Sequence, residues 1–128
     1  MAFTTRGDVF GGCFRVAVTK QCGWFDDPNL FIFSFESRGR CVTPQNFDVD
    51  EYNKDRSAVR FYKDEAEGYF VAFICGYGDS GGFYLGNEKS STFCDNVSFG
   101  FAGIGDTTLT GMNYVNFTCY RLVAIPLE

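Results

Sequence analysis

Short apolar segments separated by turn-forming residues recur along the chain, a pattern typical of an all-β meander, sandwich or barrel. In residues 13–19, Phe14, Val16 and Val18 alternate with more polar positions, which predicts a strand with one solvent-facing side. Residues 30–35 are apolar at nearly every position. Such a segment predicts a central strand that is covered on both faces.

The segments between these strands have the chemistry of turns. Residues 26–29 predict a turn because Pro28 presets its φ while Asp and Asn side chains bond to the local backbone. Residues 37–40 predict another, in which Gly39 supplies a positive φ. No convincing amphipathic helix is present, although the polar residues 47–55 could hold an uncapped helical turn. A short strand is predicted at 41–42, where Pro44 ends it or pushes it to an edge. Further strands are predicted at 58–62, 69–75, 83–85 and 114–125, the last with a bulge.

The composition indicates an aromatic core, and the net charge disfavours one class of partner. The 128 residues predict one domain, and 16 Phe and 7 Tyr supply rings that each bury on the order of 150–250 Å². The formal net charge of −5, with scattered cations, disfavours a nucleic-acid partner. No apolar run approaches the roughly 20 residues of a spanning helix, so no membrane span is predicted.

Six cysteines at wide, irregular spacing form no CxxC pair, which argues against zinc knuckles and thioredoxin-like motifs. The first residues contain no apolar signal-peptide core. Reduced thiols in a cytoplasmic protein are therefore favoured over a disulfide framework.

The most conspicuous motifs fail for chemical reasons. Residues 78–82 (GDSGG) match the nucleophile segment of trypsin-like proteases, but the chain contains no histidine to accept the serine proton. Gly76, Gly78 and Gly81 form a G-x-G-x-x-G that precedes a predicted strand rather than the helix a dinucleotide site needs. The acidic residues of 48–55 do not fit a calcium loop and are interpreted as a solvated loop. We predict no enzyme, and no catalytic, cofactor-binding or metal-binding residue.

Several segments taken in order resemble the TLD (TLDc) domain of oxidation-resistance proteins. Residues 7–12 (GDVFGG) are similar to its opening strand, residues 27–35 (DPNLFIFSF) to its second conserved segment, and residues around Asp79 to Leu85 to its glycine-rich segment. A loop with Ser90, Ser91, Phe93 and Cys94 follows. Leu109-Thr110-Gly111, Asn116-Phe117-Thr118 and a closing strand at 120–125 complete the resemblance, which therefore runs from Gly7 to Ile125.

The resemblance implies an antiparallel two-sheet β-sandwich with a few short helices, although the family's usual N-terminal helical segment is missing from residues 1–128. It implies a role in oxidative-stress protection, a protein partner such as the vacuolar proton pump, and no catalytic constellation. It also places Phe10, Gly11, Gly12, Phe31, Phe33, Gly82 and Phe117 at core or turn positions. A monomer is expected.

The main alternative is an extracellular lectin-like or capsid-like sandwich, which would contain disulfides. A lesser hypothesis is an enzyme using carboxylates or a cysteine, for which Cys41 beside Arg40 is the one thiol with a cationic sequence neighbour. A stress-responsive DNA-binding regulator is a further lesser alternative, against which the acidic charge argues.

Overall fold

Two antiparallel sheets of five strands each face one another in the computed structural model, which describes residues 1–20, 23–62, 69–75, 81–86, 92–113 and 115–127. Sheet A has the order β10 (Cys119–Leu122), β1 (Ala2–Thr4), β2 (Val9–Cys13), β4 (Phe31–Glu36) and β5 (Gln45–Asp48). Sheet B has the order β3 (Gly23–Asp26), β6 (Ser57–Phe61), β7 (Tyr69–Cys75), β8 (Gly82–Gly86) and β9 (Phe93–Asp95). A 3-10 helix (Glu51–Arg56) and the single-turn α1 (Val97–Gly100) complete the described elements. The prediction of a mainly β sandwich with few short helices is confirmed.

Aromatic rings from both sheets fill the space between them. Phe10 of β2 is fully buried and makes edge-on contacts with Phe83 of β8 and with Phe117, at ring-centroid distances of 5.1 and 5.6 Å. Phe83 in turn lies 5.0 Å from Phe73 of β7. Edge-to-face pairs of this kind add about 0.5–1.5 kcal/mol each to the free energy of burial. The aromatic composition is therefore the material of the core.

A glycine on β2 allows the two sheets to approach each other closely. A Cβ atom added at Gly12 would overlap the ring of Phe73 on the opposite sheet, so the ring occupies the space of the missing side chain. Phe10, Gly82 and Phe117 are buried, in agreement with their predicted core or turn positions.

The prediction of a strand at residues 13–19 is wrong beyond Cys13, where β2 ends. The amide of Arg15 donates a hydrogen bond to Oδ2 of Asp27 at 2.6 Å instead of to a neighbouring strand. Phe14 still reaches the core, where its ring lies 5.9 Å from that of Phe61. In residues 14–19 the alternation of apolar residues therefore does not indicate strand pairing, although Phe14 packs against the core.

Other predicted boundaries also shift. Residues 41–42 form no strand, and β5 begins immediately after Pro44. The helical turn expected in residues 47–55 is the 3-10 helix, and it does have a cap, because Asp50 accepts a hydrogen bond from the Tyr52 amide at 3.0 Å. In place of a continuous strand over 114–125, the described residues form β10, an isolated bridge between Phe117 and Thr92, and one further hydrogen bond from Val123 to Met1. The expected bulge is present in β10, because Phe3 and Thr4 of β1 pair with Arg121 and Cys119, which leaves Tyr120 as the extra residue.

Both predicted turns are present. Oδ1 of Asp27 accepts a hydrogen bond from the Asn29 amide at 2.9 Å, the local bonding that turn chemistry requires. Gly39 has a φ of +84°, as expected. The strands predicted at 58–62, 69–75 and 83–85 correspond to β6, β7 and β8. The sequence also predicts a loop at residues 64–68, which lie outside the described residues.

Candidate binding groove

The outer face of sheet A carries a row of phenylalanines on β4. Ile32 and Ser34 point into the sandwich and are buried, whereas Phe31 and Phe33 are half-buried and Phe35 is 57% exposed. The prediction that this strand is covered on both faces is therefore wrong. The resemblance implied core or turn positions for Phe31 and Phe33, but both lie within β4 and on the outer face of the sheet. In the described structure these rings form an open apolar surface.

The C-terminal segment forms a second wall beside these rings. Val123 continues the pairing of β10 with β1, because its amide donates to the Met1 carbonyl at 2.8 Å. Beyond it, Ile125 and Leu127 are each 64% exposed. Together with the outer face of sheet A they enclose a groove of about 1100 Å³, which we call the phenylalanine groove. Its apolar lining consists mainly of Phe14, Val16, Phe31, Phe33, Phe35, Val123, Ile125, Pro126 and Leu127.

A glycine on β2 sets the depth of the groove. Gly11 is paired with Phe33 across the strands, and an added Cβ atom at Gly11 would lie 2.6 Å from Cζ of that ring and 3.1 Å from Cα of Met1. The ring therefore lies flat over β2 instead of standing upright. Gly11 thus serves a packing role on the outer face of the sheet.

A smaller polar cavity continues the phenylalanine groove at one end. It has a volume of about 500 Å³ and is lined by polar side chains of Asn29, Asp48 and Lys54 together with Arg15. Arg15, Phe31 and Asn46 line both cavities. Lys54 is paired with Glu51 at 2.7 Å. The combined cleft is therefore apolar along most of its length and charged at one end.

Asp27 fixes the backbone at the junction of the two cavities. Besides holding the Arg15 and Asn29 amides, it joins sheet B, because its own amide donates to the Ser57 carbonyl at 2.9 Å and the Ser57 hydroxyl donates to its carbonyl at 2.6 Å. Its side chain is only 1% exposed. Since a buried carboxylate is costly without such donors, this network holds Arg15 in a defined place.

A second buried carboxylate, Asp8, anchors the C-terminal part of the chain. Asp8 forms an ion pair with Arg40 and accepts a hydrogen bond from the Thr4 hydroxyl at 3.1 Å. Arg40 also donates to the carbonyls of Thr108 and Leu109, at 2.9 and 3.0 Å. The pair thus joins the turn after β1, the loop after β4 and residues 105–111. It lies away from the groove lining and has a structural role.

Two thiols are buried within the sandwich. Cys75 and Cys94 have no exposed surface, and burial raises the pKa of each thiol to about 12. Partial burial also raises the pKa of Cys13, which lines the groove. Each of these thiols is therefore protonated near neutral pH, and a protonated thiol is a poor nucleophile. The five described cysteines, at 13, 41, 75, 94 and 119, are free.

We expect a maleimide at pH 7.5 to leave Cys75 and Cys94 unmodified in the folded protein. The half-buried thiols of Cys13, Cys41 and Cys119 should react first. Peptide mapping by mass spectrometry after timed labelling measures this, with urea-unfolded protein as the control. Modification of Cys94 as fast in the folded as in the unfolded protein would contradict the burial.

The remaining sequence motifs are dispersed in the described structure. The acidic residues of the segment 48–55 have separate roles, since Asp50 caps the 3-10 helix, Glu51 pairs with Lys54, and Asp55 lies 3.9 Å from Arg56. Gly81 leads into a strand, as predicted, while Gly76, Gly78, Asp79, Ser80, Ser90 and Ser91 lie outside the described residues. The Arg40 guanidinium is directed to Asp8 and to two backbone carbonyls. These contacts give no support to the lesser hypothesis that Arg40 activates the Cys41 thiol.

Within the described part of the chain, no three His, Cys, Asp or Glu residues are grouped so that they could hold a metal ion. None of the described helices is long and apolar enough to cross a membrane.

Sequence reasoning missed the phenylalanine groove. The signal for it was an outward-facing Phe at every second position of β4, opposite glycine on β2. Comparison of the chain with protein-family models, with curated proteins and with solved structures gives no match.

Proposed function

We propose that this chain is a non-enzymatic, cytoplasmic interaction module of the TLD type, which binds a protein partner in the phenylalanine groove. The observation that carries the proposal is the open row of Phe31, Phe33 and Phe35 facing the exposed Ile125 and Leu127. A concave apolar surface of this kind is characteristic of sites where a partner side chain is buried.

The chemistry of the chain supports binding over catalysis. Histidine, the most common general acid–base group, is absent from the whole sequence. The buried carboxylates of Asp8 and Asp27 are occupied by structural hydrogen bonds, and the thiols of Cys75 and Cys94 are protonated and enclosed. These groups stabilise the fold and do not face the groove.

The TLD assignment rests on the ordered segments between Gly7 and Ile125 and carries a partner with it. Members of that family protect cells from oxidative stress, and several bind the vacuolar proton pump. Because the thiols of Cys75 and Cys94 are buried and protonated, we expect protection to operate through binding a partner and not through scavenging by these two thiols. The pump is accordingly the first partner to test.

We expect the wild-type chain to bind a purified, immobilised vacuolar proton pump, and Phe35→Lys to weaken that binding at least tenfold. The new ammonium group would have to lose its water inside the interface. Phe99→Lys is the matched control, because Phe99 on α1 is 53% exposed, similar to Phe35, and does not line the groove. Biolayer interferometry with the three chains measures the affinities.

Equal binding of the three chains would reject the groove as the contact surface. Absence of binding by the wild type would reject the pump as the partner. Circular dichroism of each variant verifies that the fold is retained, which we expect since both side chains are largely exposed.

A further inference from the structure

We propose that the groove selects a peptide segment that combines large apolar side chains with a carboxylate at the end that reaches Arg15. This inference rests on the proposed function, since it specifies the ligand of the same groove. It adds a charge and a direction to a surface that is otherwise defined only by its apolar character.

Arg15 carries the argument. Among the described residues that line the phenylalanine groove, it is the one charged side chain, and it also lines the polar cavity. It is exposed and forms no ion pair with the described carboxylates. An unpaired cation at the end of an apolar groove favours a ligand that brings an anion to that point.

The groups beside Arg15 also favour a ligand that carries a carboxylate. Asp48, Arg15 and Lys54 all line the polar cavity, and the Lys54 ammonium is already paired with Glu51. Arg15 therefore remains as the side-chain cation of the lining that forms no ion pair with a described carboxylate. The amide groups of Asn29 and Asn46 supply neutral hydrogen-bond donors beside it. A guanidinium with amide donors matches the planar, two-oxygen geometry of a carboxylate.

The position of Arg15 gives the bound segment a direction. Its backbone is held by the hydrogen bond from its amide to Asp27, and the residue lines both cavities where they meet. Phe33, Phe35, Ile125 and Leu127 lie along the groove and not in the polar cavity. Apolar ligand side chains should therefore occupy the phenylalanine groove while the acidic residue lies at the Arg15 end.

The test is selection of a random peptide-display library on the immobilised wild-type chain. Recovered peptides should be enriched in Asp or Glu on one side of a cluster of Leu, Ile, Phe or Trp. Arg15→Glu should weaken the binding of synthetic copies of these peptides about fivefold or more, and replacing the peptide acid with Lys should restore binding to that variant. Arg6→Glu is the control of equal net charge, because Arg6 does not line either cavity.

The outcomes separate this inference from the proposed function. Peptides that require Phe35 but contain no acidic enrichment, or that tolerate Arg15→Glu, would overturn the carboxylate inference and leave the groove as the binding surface. Recovery of no peptides, or only of peptides that bind Phe35→Lys as well as the wild type, would overturn both. Acidic enrichment with charge-swap rescue supports both.

Discussion

Gly82→Ala is expected to lower the free energy of unfolding by about 3 kcal/mol, among the largest effects of any single methyl group in this protein. A Cβ atom at Gly82 would overlap the carbonyl oxygen of Phe73 and lie 2.9 Å from Cα of Ile74. These are backbone atoms of the neighbouring β7, so no side chain can rotate away to make room. The register of β7 against β8 would have to shift, and with it the contact between Phe73 and Phe83 in the core.

Urea unfolding followed by fluorescence measures this loss, which corresponds to a fall in Tm of about 10 °C for a domain of this size. Gly105→Ala is the matched control, because its added Cβ would meet only the Thr108 hydroxyl, at 3.2 Å. We expect the control to change the free energy by no more than about 0.5 kcal/mol. If the two variants were equally stable, β8 would not pack against β7 as described.

Arg40→Met is expected to lower the free energy of unfolding by about 3 kcal/mol. Asp8 is 1% exposed, so removal of Arg40 leaves its carboxylate buried without a charge partner. The carbonyls of Thr108 and Leu109 lose their donor in the same change. Residues 105–111 would then lose their attachment to the turn after β1.

Two further variants isolate the cause. Arg38→Met removes an exposed arginine two positions away and should cost no more than about 0.5 kcal/mol. The double variant Asp8→Asn with Arg40→Met should be more stable than Arg40→Met alone, because no buried charge is left unpaired. A double variant that is less stable than the single one would contradict this explanation.

The strands and turns could be predicted from sequence where the local side chains favour the backbone conformation that the chain adopts. The apolar run at 69–75 corresponds to β7, and Pro28 with its Asp and Asn neighbours forms the expected turn. The strand predicted at 13–19 failed because the Arg15 amide bonds to a carboxylate twelve residues away. Periodicity contains no information about such a long-range hydrogen bond.

The binding groove was harder to predict for a related reason. An all-apolar strand has the same sequence pattern whether its second face is covered by protein or left open. Whether Phe31, Phe33 and Phe35 are covered depends on what packs over sheet A, and the described structure places the C-terminal segment and residues 14–17 beside them without closing the groove. The absence of histidine-based chemistry, in contrast, could be read from composition alone.

We propose that this protein acts through the outer face of sheet A. Amide chemical-shift mapping of the labelled chain, during titration with a peptide recovered from the library selection, tests this proposal. We predict the largest changes at groove residues such as Cys13, Arg15, Phe33 and Ile125, with little change at Trp24 and Arg60 on sheet B. Changes concentrated on sheet B, with the groove residues unaffected, would show that the peptide binds elsewhere and would contradict the proposal.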